Sequence, residues 1–189
     1  MKKTILIMTT ALIAVTGFSQ NEKYVKAMEP KVAMLASNNT ADSWKDLANS
    51  FERIAEYEKT QWEPYYYASF CTVMAGTVSM PQGNFGDNSA ISDPVADKAE
   101  QLLNKAMAIN KDNSEIFCVK KMIHSLKMMG NVMARFGTEL PLATEALEKA
   151  KSLNANNPRI YILEGQDKFY TPEEYGGSKA EAKKLFEKA

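Results

Sequence analysis

The octapeptide AEQLLNKA at residues 99–106 recurs as ATEALEKA at residues 143–150 and as AKKLFEKA at residues 182–189, and this repeat indicates how the chain folds. Each copy places one bulky residue between two alanines, at intervals of four and three. In a helix these intervals put all three residues on one face. The alanines let a neighbouring helix approach closely, while the bulky residue fills the remaining gap. A weaker copy runs from Leu47 through Phe51 to Ile54.

In the weaker copy and in the first two full copies, an aromatic residue follows the bulky residue at a fixed distance of 14 positions. The pairs are Phe51 with Tyr65, Leu103 with Phe117, and Leu147 with Tyr161. The constant distance indicates that each alanine motif is followed by another helix in the same register. A single pair of such helices cannot bury its apolar face alone, so successive pairs are expected to stack.

These motifs resemble the tetratricopeptide repeat, in which an aromatic opens the first helix and alanines flank a bulky residue in the second. The resemblance covers roughly residues 41–189 and implies an all-α, right-handed superhelix of three to four helical hairpins. The family also has a small residue four positions after the aromatic. Ser69 and Gly165 match that position and Lys121, in the middle hairpin, departs from it.

Helical periodicity dominates the chain, and the alternation typical of strands is absent. The predicted helices are 23–37, 41–58, 62–79, 94–109, 115–130, 140–154, 158–170 and 179–188. Their start signals are Thr40, Asp93 before Pro94, Ser114 and Ser178; these short polar side chains cap helices. Pro30 is expected to kink or divide the first helix.

The first nineteen residues have the layout of a secretory signal peptide. Lys2 and Lys3 precede an apolar stretch at residues 5–15, and small residues stand three and one positions before Gln20. This pattern predicts export to the periplasm or the medium and cleavage ahead of Gln20. The mature chain then begins with an N-terminal helix within residues 20–40. The apolar stretch is shorter than the roughly 20 residues of a membrane span, and no later segment approaches that length.

The charge balance argues against an electrostatic partner. Cleavage removes Lys2 and Lys3 from 23 basic residues and none of the 23 acidic ones, which leaves a net charge of −2. A nearly neutral chain without a basic run is not expected to bind nucleic acid or a membrane surface by charge.

Residues that could carry out catalysis are sparse. His124 is the single histidine of the chain, which excludes a histidine-rich zinc site and weakens every serine–histidine or cysteine–histidine scheme. A surface position or a contact within a hairpin is the simpler role for it. Cys71 and Cys118 fall on apolar stretches and are either buried thiols or a disulfide. We therefore expect no enzyme activity, no metal site and no cofactor.

The resemblance also implies a groove, lined by the positions one and five residues after each aromatic. These are Tyr66 and Phe70, Cys118 and Met122, and Ile162 and Gln166, extended by Met74, Phe169 and Tyr170. Such an apolar surface needs an occupant. It could be the N-terminal helix, through Tyr24, Met28, Val32 and Leu35, or a segment of a protein partner. A second copy docked at the open C-terminal end around Phe186 is the third possibility.

An aromatic–glycine step lies in each stretch that we interpret as a loop within a hairpin, at residues 81–93, 131–139 and 171–178. The aromatic residues are Phe85, Phe136 and Tyr175. Either each ring tucks back onto its own hairpin while glycine permits the turn, or the rings together form a recognition edge.

The sequence thus favours a non-catalytic scaffold of the cell envelope that docks a protein segment in the groove or along the loop edge. Its predicted binding residues are Tyr66, Phe70, Met122, Gln166, Phe169, Tyr170, Phe85, Phe136 and Tyr175. A self-assembling structural component and a carrier of a small apolar ligand are the alternatives. The identity of any protein partner does not follow from these residues.

Overall fold

A computed structural model describes residues 22–81, 83 and 86–189, and these residues contain helices and no β-strand. The predicted all-α class is therefore confirmed. The signal peptide predicted at residues 1–19 lies outside the described residues. The helices are α1 (22–34), α2 (Ala41–Tyr57), α3 (Glu63–Ser79), α4 (Ser89–Ile109), α5 (Ser114–Gly130), α6 (Val132–Leu153), α7 (Pro158–Tyr170) and α8 (Lys179–Lys188), with 3-10 turns at Leu35–Ser37 and Glu173–Tyr175.

Polar caps set several helix starts. The Thr40 side chain accepts a hydrogen bond from the Ser43 backbone N–H, and the Ser43 hydroxyl oxygen accepts one from the Thr40 backbone N–H, which forms a capping box at α2. The Ser178 side chain accepts from the Glu181 N–H at α8. Both starts agree with the sequence prediction. At α5 the capping residue is Asn113, so the helix begins one residue earlier than predicted.

The predicted start of α4 at Pro94 is wrong, because the helix already begins at Ser89 and Pro94 lies inside it. Asp93 does not cap the helix; its carboxylate accepts two hydrogen bonds from Arg135, at 2.5 and 2.8 Å. This ion pair ties α4 to α6. Pro94 has no backbone N–H, so the helix lacks one hydrogen bond there. The ion pair between the two hairpins compensates for the stability that this missing bond costs, and local sequence does not reveal the pair.

The loop predicted at residues 131–139 is wrong as well. Asn131 accepts a hydrogen bond from the Ala134 N–H, and α6 runs from Val132 to Leu153 without an intervening loop. Pro141 lies within this helix. Gly137 and Pro141 suggest a loop when they are considered as local signals, but the Asn131 cap starts a helix that passes through both.

The stack is built from successive helices in chain order. Contacts join the two helices of α3–α4, α5–α6 and α7–α8, and the first helices α3, α5 and α7 also contact one another in turn. Five of the six flanking alanines of the motif are buried, as expected for residues between closely packed helices: Ala99, Ala106, Ala143, Ala150 and Ala182 are each at most 2% exposed, whereas Ala189 is exposed. Successive helix pairs therefore nest through the repeated motif.

The N-terminal helix joins this stack. The helix α1 passes through Pro30 and continues to residue 34. Its residue Met28 is 7% exposed, and the other predicted contact residues pack against the same apolar core: Tyr24 and Val32 of α1, and Leu35 of the 3-10 turn that follows. The Tyr24 hydroxyl donates to Glu63 Oε2 at 3.3 Å, at the start of α3. The apolar face of α1 is thus covered within the chain itself.

The position four residues after each aromatic explains how closely the hairpins pack. The Ser69 hydroxyl donates to the Ala99 carbonyl at 2.7 Å, and Gly165 lies so near the Phe186 ring that an added Cβ would approach it to 2.5 Å. Lys121, which departs from the small-residue pattern, is 5% exposed and reaches sideways, where its Nζ donates to Asp167 at 2.6 Å. The middle hairpin therefore accommodates a long side chain by an ion pair with α7.

Within the part of the chain that the structure describes, no helix is both long and apolar enough to cross a bilayer.

Candidate ligand-binding surface

The part of the predicted groove on α3 is closed. Tyr66 is 3% exposed and Phe70 is 9% exposed. The Trp44 ring meets Phe70 edge-on with centroids 5.9 Å apart, and the Arg159 guanidinium lies 4.7 Å from the centroid of the same ring. These two predicted binding residues are core residues instead, because a tryptophan from α2 and an arginine from α7 cover them.

A polar network holds the first helices together at this closed end. The Tyr66 hydroxyl donates to the Glu115 carboxylate, and Arg159 Nε donates to the same oxygen at 2.7 Å. Burial raises the pKa of Glu115, but the positive charge of Arg159 and the donated hydrogen bonds outweigh burial, so this pKa lies below its usual range. Burial raises the pKa of the Tyr66 phenol. The network therefore contains a carboxylate and a neutral phenol, and it fixes α3, α5 and α7 side by side.

The part of the predicted groove on α7 is open. Ile162 is 40% exposed, Phe169 44% and Tyr170 78%, and Gln166 lies exposed between them. Their spacing of four, three and one positions places them on one side of the helix, which we call the α7 face (Ile162, Gln166, Phe169 and Tyr170). The rings of Phe169 and Tyr170 meet edge-on with centroids 5.1 Å apart. The α7 face presents an apolar and aromatic surface to solvent.

Neighbouring residues border the α7 face with apolar and basic groups. Met122, which is the register equivalent of Gln166 on α5, is half-buried and packs against both described core clusters. Lys179 Nζ lies 5.9 Å from the centroid of the Phe169 ring, and Lys179 forms no ion pair within the described residues. The α7 face therefore has an ammonium group near its aromatic end, whereas the predicted groove residue Met122 packs against the core.

The aromatic–glycine residues do not tuck back onto their hairpins where the structure describes them. Phe136 is 54% exposed on α6, and Tyr175 is 77% exposed in a 3-10 turn. Gly176 follows with φ of 91°, a conformation that favours glycine. Phe85 lies outside the described residues. The two described rings are free to contact a partner, although Phe136 projects from a helix and not from the predicted loop.

His124 makes a contact within a hairpin, which is one of the two roles expected for it. Its Nδ1 lies 2.8 Å from Glu139 Oε2, which joins α5 to α6. The same residue lines an open cleft of about 480 Å³ between these two helices. Sequence reasoning did not identify this cleft, because its walls belong to two helices whose relative position follows only from their packing.

Another cleft of about 640 Å³ lies between α7 and α8. Its walls carry mostly charged side chains: Glu164, Asp167, Lys168, Glu181, Lys184 and Leu185. Lys168 and Glu181 pair across it at 2.9 Å. Because paired charges of both signs line it, this cleft does not suit an apolar ligand.

The two cysteines are buried free thiols in separate parts of the core. Burial raises the pKa of Cys71 to about 12 and that of Cys118 to about 12. Across residues 22–81, 83 and 86–189, no three side chains of the histidine, cysteine, aspartate and glutamate types come close enough to hold a metal ion.

Comparison with known proteins gives one informative relationship. No protein-family model matches the chain, and no curated protein matches it. Among solved structures, the HusA haemophore from Porphyromonas gingivalis has the same fold, with a TM-score of 0.73 and 32% sequence identity. The match covers 87% of this chain and 77% of that chain.

Proposed function

This chain belongs to the family of the HusA haemophore, and on that premise we propose that it binds and carries haem. The proposal replaces the protein-binding scaffold, which the sequence favoured, with the small-ligand carrier that was an alternative. The single observation that carries it within the molecule is the exposed α7 face. Export from the cytoplasm, as predicted from residues 1–19, is part of the proposal.

The chemistry of the α7 face suits a porphyrin. Haem is a flat apolar macrocycle with two carboxylates on one edge, so it needs apolar contact over its face and cations or water at that edge. Phe169 and Tyr170 offer aromatic surface that is 44% and 78% exposed, and aromatic rings pack on one another in offset or edge-on arrangements. Covering these rings and Ile162 removes apolar area from water, which favours binding.

The cation beside the aromatic pair suits the carboxylate edge. Lys179 is exposed and its Nζ already lies 5.9 Å from the Phe169 ring centroid. A propionate of a porphyrin stacked on Phe169 would lie within reach of this ammonium group and form a charge-assisted hydrogen bond. The neighbouring Lys168 is occupied, since it pairs with Glu181 at 2.9 Å.

Carriage of this kind requires no bond-making in the ligand. Binding would be a mass-action equilibrium on a surface fixed by the rigid stack of α3, α5 and α7. The Tyr66–Glu115–Arg159 network supports that rigidity from the closed end of the groove. Release to another molecule would follow the same equilibrium.

A titration of the purified full-length mature chain with ferric haem, followed by the Soret absorbance, tests the proposal. We expect saturable binding that is weakened at least about tenfold by the double change Phe169→Ala and Tyr170→Ala, because each 1.4 kcal/mol of lost contact is tenfold in affinity. The matched control is Tyr57→Ala, which removes a 74% exposed ring from α2 and should leave the affinity unchanged.

Two results would contradict the proposal. One is the absence of saturable haem binding by the unchanged chain. The other is an equal loss of affinity in the Tyr57 control and in the α7 variant, since this would indicate nonspecific adsorption to exposed rings. Circular dichroism of each variant separates lost binding from lost folding.

A protein partner remains a second candidate because of one specific feature. Phe136 and Tyr175 are exposed by 54% and 77%, and they belong to the ends of α5–α6 and α7–α8 where the first helix of each pair gives way to the second. A protein that docks at this edge would lose affinity when both rings are changed to alanine, whereas haem binding by the α7 face would be retained.

A further inference from the structure

The α7 face occupies a position in the stack that is covered on the preceding first helices. Counted from the aromatic residue that opens each first helix, Ile162 is equivalent to Tyr66 on α3 and to Cys118 on α5. These two counterparts are 3% and 0% exposed, and each is covered by the first helix that follows it. The Tyr66 hydroxyl donates to Glu115 of α5. Cys118 Sγ lies 3.8 Å from the side chain of Asn157, which caps α7.

The same relationship holds along the rest of the α7 face. Phe70 and Val73 are the counterparts on α3 of Gln166 and Phe169, and both are buried. On α5 the counterpart of Gln166 is Met122, which packs against the apolar cluster to which α7 contributes. The α7 face is therefore the stacking surface of the last hairpin, and no helix covers it in the part of the chain that the structure describes.

The opposite end of the stack has a polar outer surface. Met28 and Val32 of α1 pack against the core, and the side of the helix opposite to them carries Glu22, Lys23 and Lys26, which are all exposed. A polar outer face of this kind is typical of a terminal repeat that caps a stack. A head-to-tail contact would bury these charged side chains against the apolar α7 face without partners, which is unfavourable.

The α7 face is complementary to itself. Gln166 lies midway between Ile162 and Tyr170, four residues from each. If two copies of α7 cross in antiparallel orientation at Gln166, Ile162 of each copy lies opposite Tyr170 of the other. The two Gln166 amides then meet at the centre, where each can both donate and accept a hydrogen bond. An apolar contact on either side of a paired polar centre is thus generated by one surface and its symmetry mate.

Charge favours the antiparallel orientation. Glu173 and Glu174 lie exposed in the 3-10 turn that follows α7, and neither forms an ion pair with another described residue. In the antiparallel arrangement this acidic turn lies near the start of α7 in the second copy, where the first-turn N–H groups and Arg159 are positive. In a parallel arrangement the two acidic turns would lie together and repel each other.

The size of the surface suits a reversible contact. The Phe186 ring packs on Gly165 beside the α7 face and is partly exposed, so it extends the apolar surface. Aromatic side chains bury roughly 150–250 Å² each, so covering the exposed parts of Phe169, Tyr170 and Phe186 in two copies would bury on the order of 500–800 Å². With the remaining contacts, the total approaches the roughly 1,200 Å² at which specific interfaces begin. Association is therefore expected at high protein concentration.

We propose that two copies of this chain associate through their α7 faces, about a two-fold axis at Gln166. Such a contact is closed, because both copies use the same surface and neither leaves it free for a third. The proposal goes beyond the proposed function and does not depend on it. Since haem on the α7 face would cover the same residues, haem and the second copy would exclude each other.

Charge substitutions at the axis test this symmetry. Sedimentation velocity of the purified full-length mature chain, without haem, measures the mean mass between about 1 µM and about 1 mM. We expect the mass to rise from one chain towards two. Gln166→Glu and Gln166→Lys should each weaken association at least about tenfold, because each places two like charges at the axis. An equimolar mixture of the two variants should associate at least as strongly as the unchanged chain, because opposite charges then meet.

The matched controls are Gln101→Glu and Gln101→Lys, since Gln101 is exposed on α4, and they should leave the association unchanged. Circular dichroism shows whether each variant is folded. A mass that stays at one chain throughout the concentration range would overturn the proposal. So would a mixture of Gln166 variants that fails to associate, or a mass that grows beyond two chains, since the latter indicates a head-to-tail array.

Discussion

Lys188 Nζ lies 4.1 Å from the centroid of the Tyr161 ring, so the lysine of the third alanine motif covers the aromatic residue that opens the same hairpin. The equivalent residues pair in the two preceding hairpins: Lys149 with Phe117 at 6.0 Å and Lys105 with Tyr65 at 5.3 Å. The two halves of the sequence repeat are therefore in contact. The quadrupole of an aromatic ring attracts a cation that lies over the ring face. This attraction explains why each hairpin pairs a lysine of the alanine motif with the aromatic residue.

The first prediction concerns this contact. In a double-mutant cycle of Lys188→Met and Tyr161→Leu, we expect a coupling free energy of about 0.5–1 kcal/mol, the range for partly exposed cation–π pairs. Urea unfolding at fixed salt gives the four free energies. Lys183→Met is the control, since Lys183 is 78% exposed and pairs with Glu187; a cycle of this change with Tyr161→Leu should show no coupling.

The second prediction uses two glycines in helices. At Gly165 a Cβ would meet two atoms of the Phe186 ring at 2.5 and 2.8 Å, whereas at Gly137 nothing lies within 4 Å. Gly165→Ala should lower the free energy of unfolding by about 1–2 kcal/mol through overpacking. Gly137→Ala should raise it by up to about 1 kcal/mol, since alanine favours an exposed helix interior. Thermal unfolding distinguishes the two signs.

The same pair has an internal check. Phe186→Ala added to Gly165→Ala should recover part of the lost stability, because it removes the ring that the new methyl meets. If Gly137→Ala instead destabilised the chain, residues 131–139 would not form the first turns of α6 in solution.

The third prediction concerns acid. The pKa of Glu115 is depressed in the folded chain, as the charge of Arg159 and the donated hydrogen bonds outweigh the effect of burial. A group with a depressed folded pKa contributes stability above its unfolded pKa, about 4.3 for glutamate, and loses it as the pH falls through the folded value. Glu115→Gln should therefore cost on the order of 1–2 kcal/mol at pH 7 and progressively less below about pH 4.3.

Urea unfolding of both chains between pH 3 and pH 7 measures this difference. Glu187→Gln, which removes one partner of an exposed ion pair, should change stability by only a few tenths of a kcal/mol. A difference between Glu115→Gln and the unchanged chain that grew towards acid would mean that Glu115 is not held as a carboxylate by Arg159.

The fourth prediction concerns the thiols. Because burial raises the pKa of Cys71 and Cys118 to about 12, roughly one thiol in 10⁵ is ionised at pH 7, and the thiolate is the reactive form. Iodoacetamide should modify neither cysteine in the folded chain and both in urea. Mass spectrometry without reductant should find two free thiols. A mass lower by two hydrogens would identify a disulfide instead.

The fifth prediction concerns the N-terminus. Export with cleavage of residues 1–19 predicts a mature chain that begins with Gln20. Intact-mass and N-terminal sequence measurements of the protein recovered from outside the cytoplasm check the site directly. Recovery of the chain with Met1 in place, in the cytoplasmic fraction, would contradict the predicted export.

Local sequence was sufficient for the helical class and for much of the register. The alanine motifs, the aromatic 14 residues later and the caps at Thr40 and Ser178 depend on contacts within a few turns, and such contacts follow from periodicity alone. The same local view failed at Pro94 and at residues 131–139. There a helix continues across residues that usually end one, held by the pair between Asp93 and Arg135.

The candidate sites show the limit of sequence more clearly. The order of residues is enough to show that apolar residues recur at groove positions and that one histidine is present. The folded arrangement is needed to show that Trp44 and Arg159 cover Phe70, that Phe169 and Tyr170 are exposed, and that Glu139 contacts His124. The reason is physical: periodicity fixes which side of a helix a residue occupies. The exposure of that residue depends on side chains of helices that are distant in the sequence, and a local sequence pattern does not predict which of these side chains will cover it.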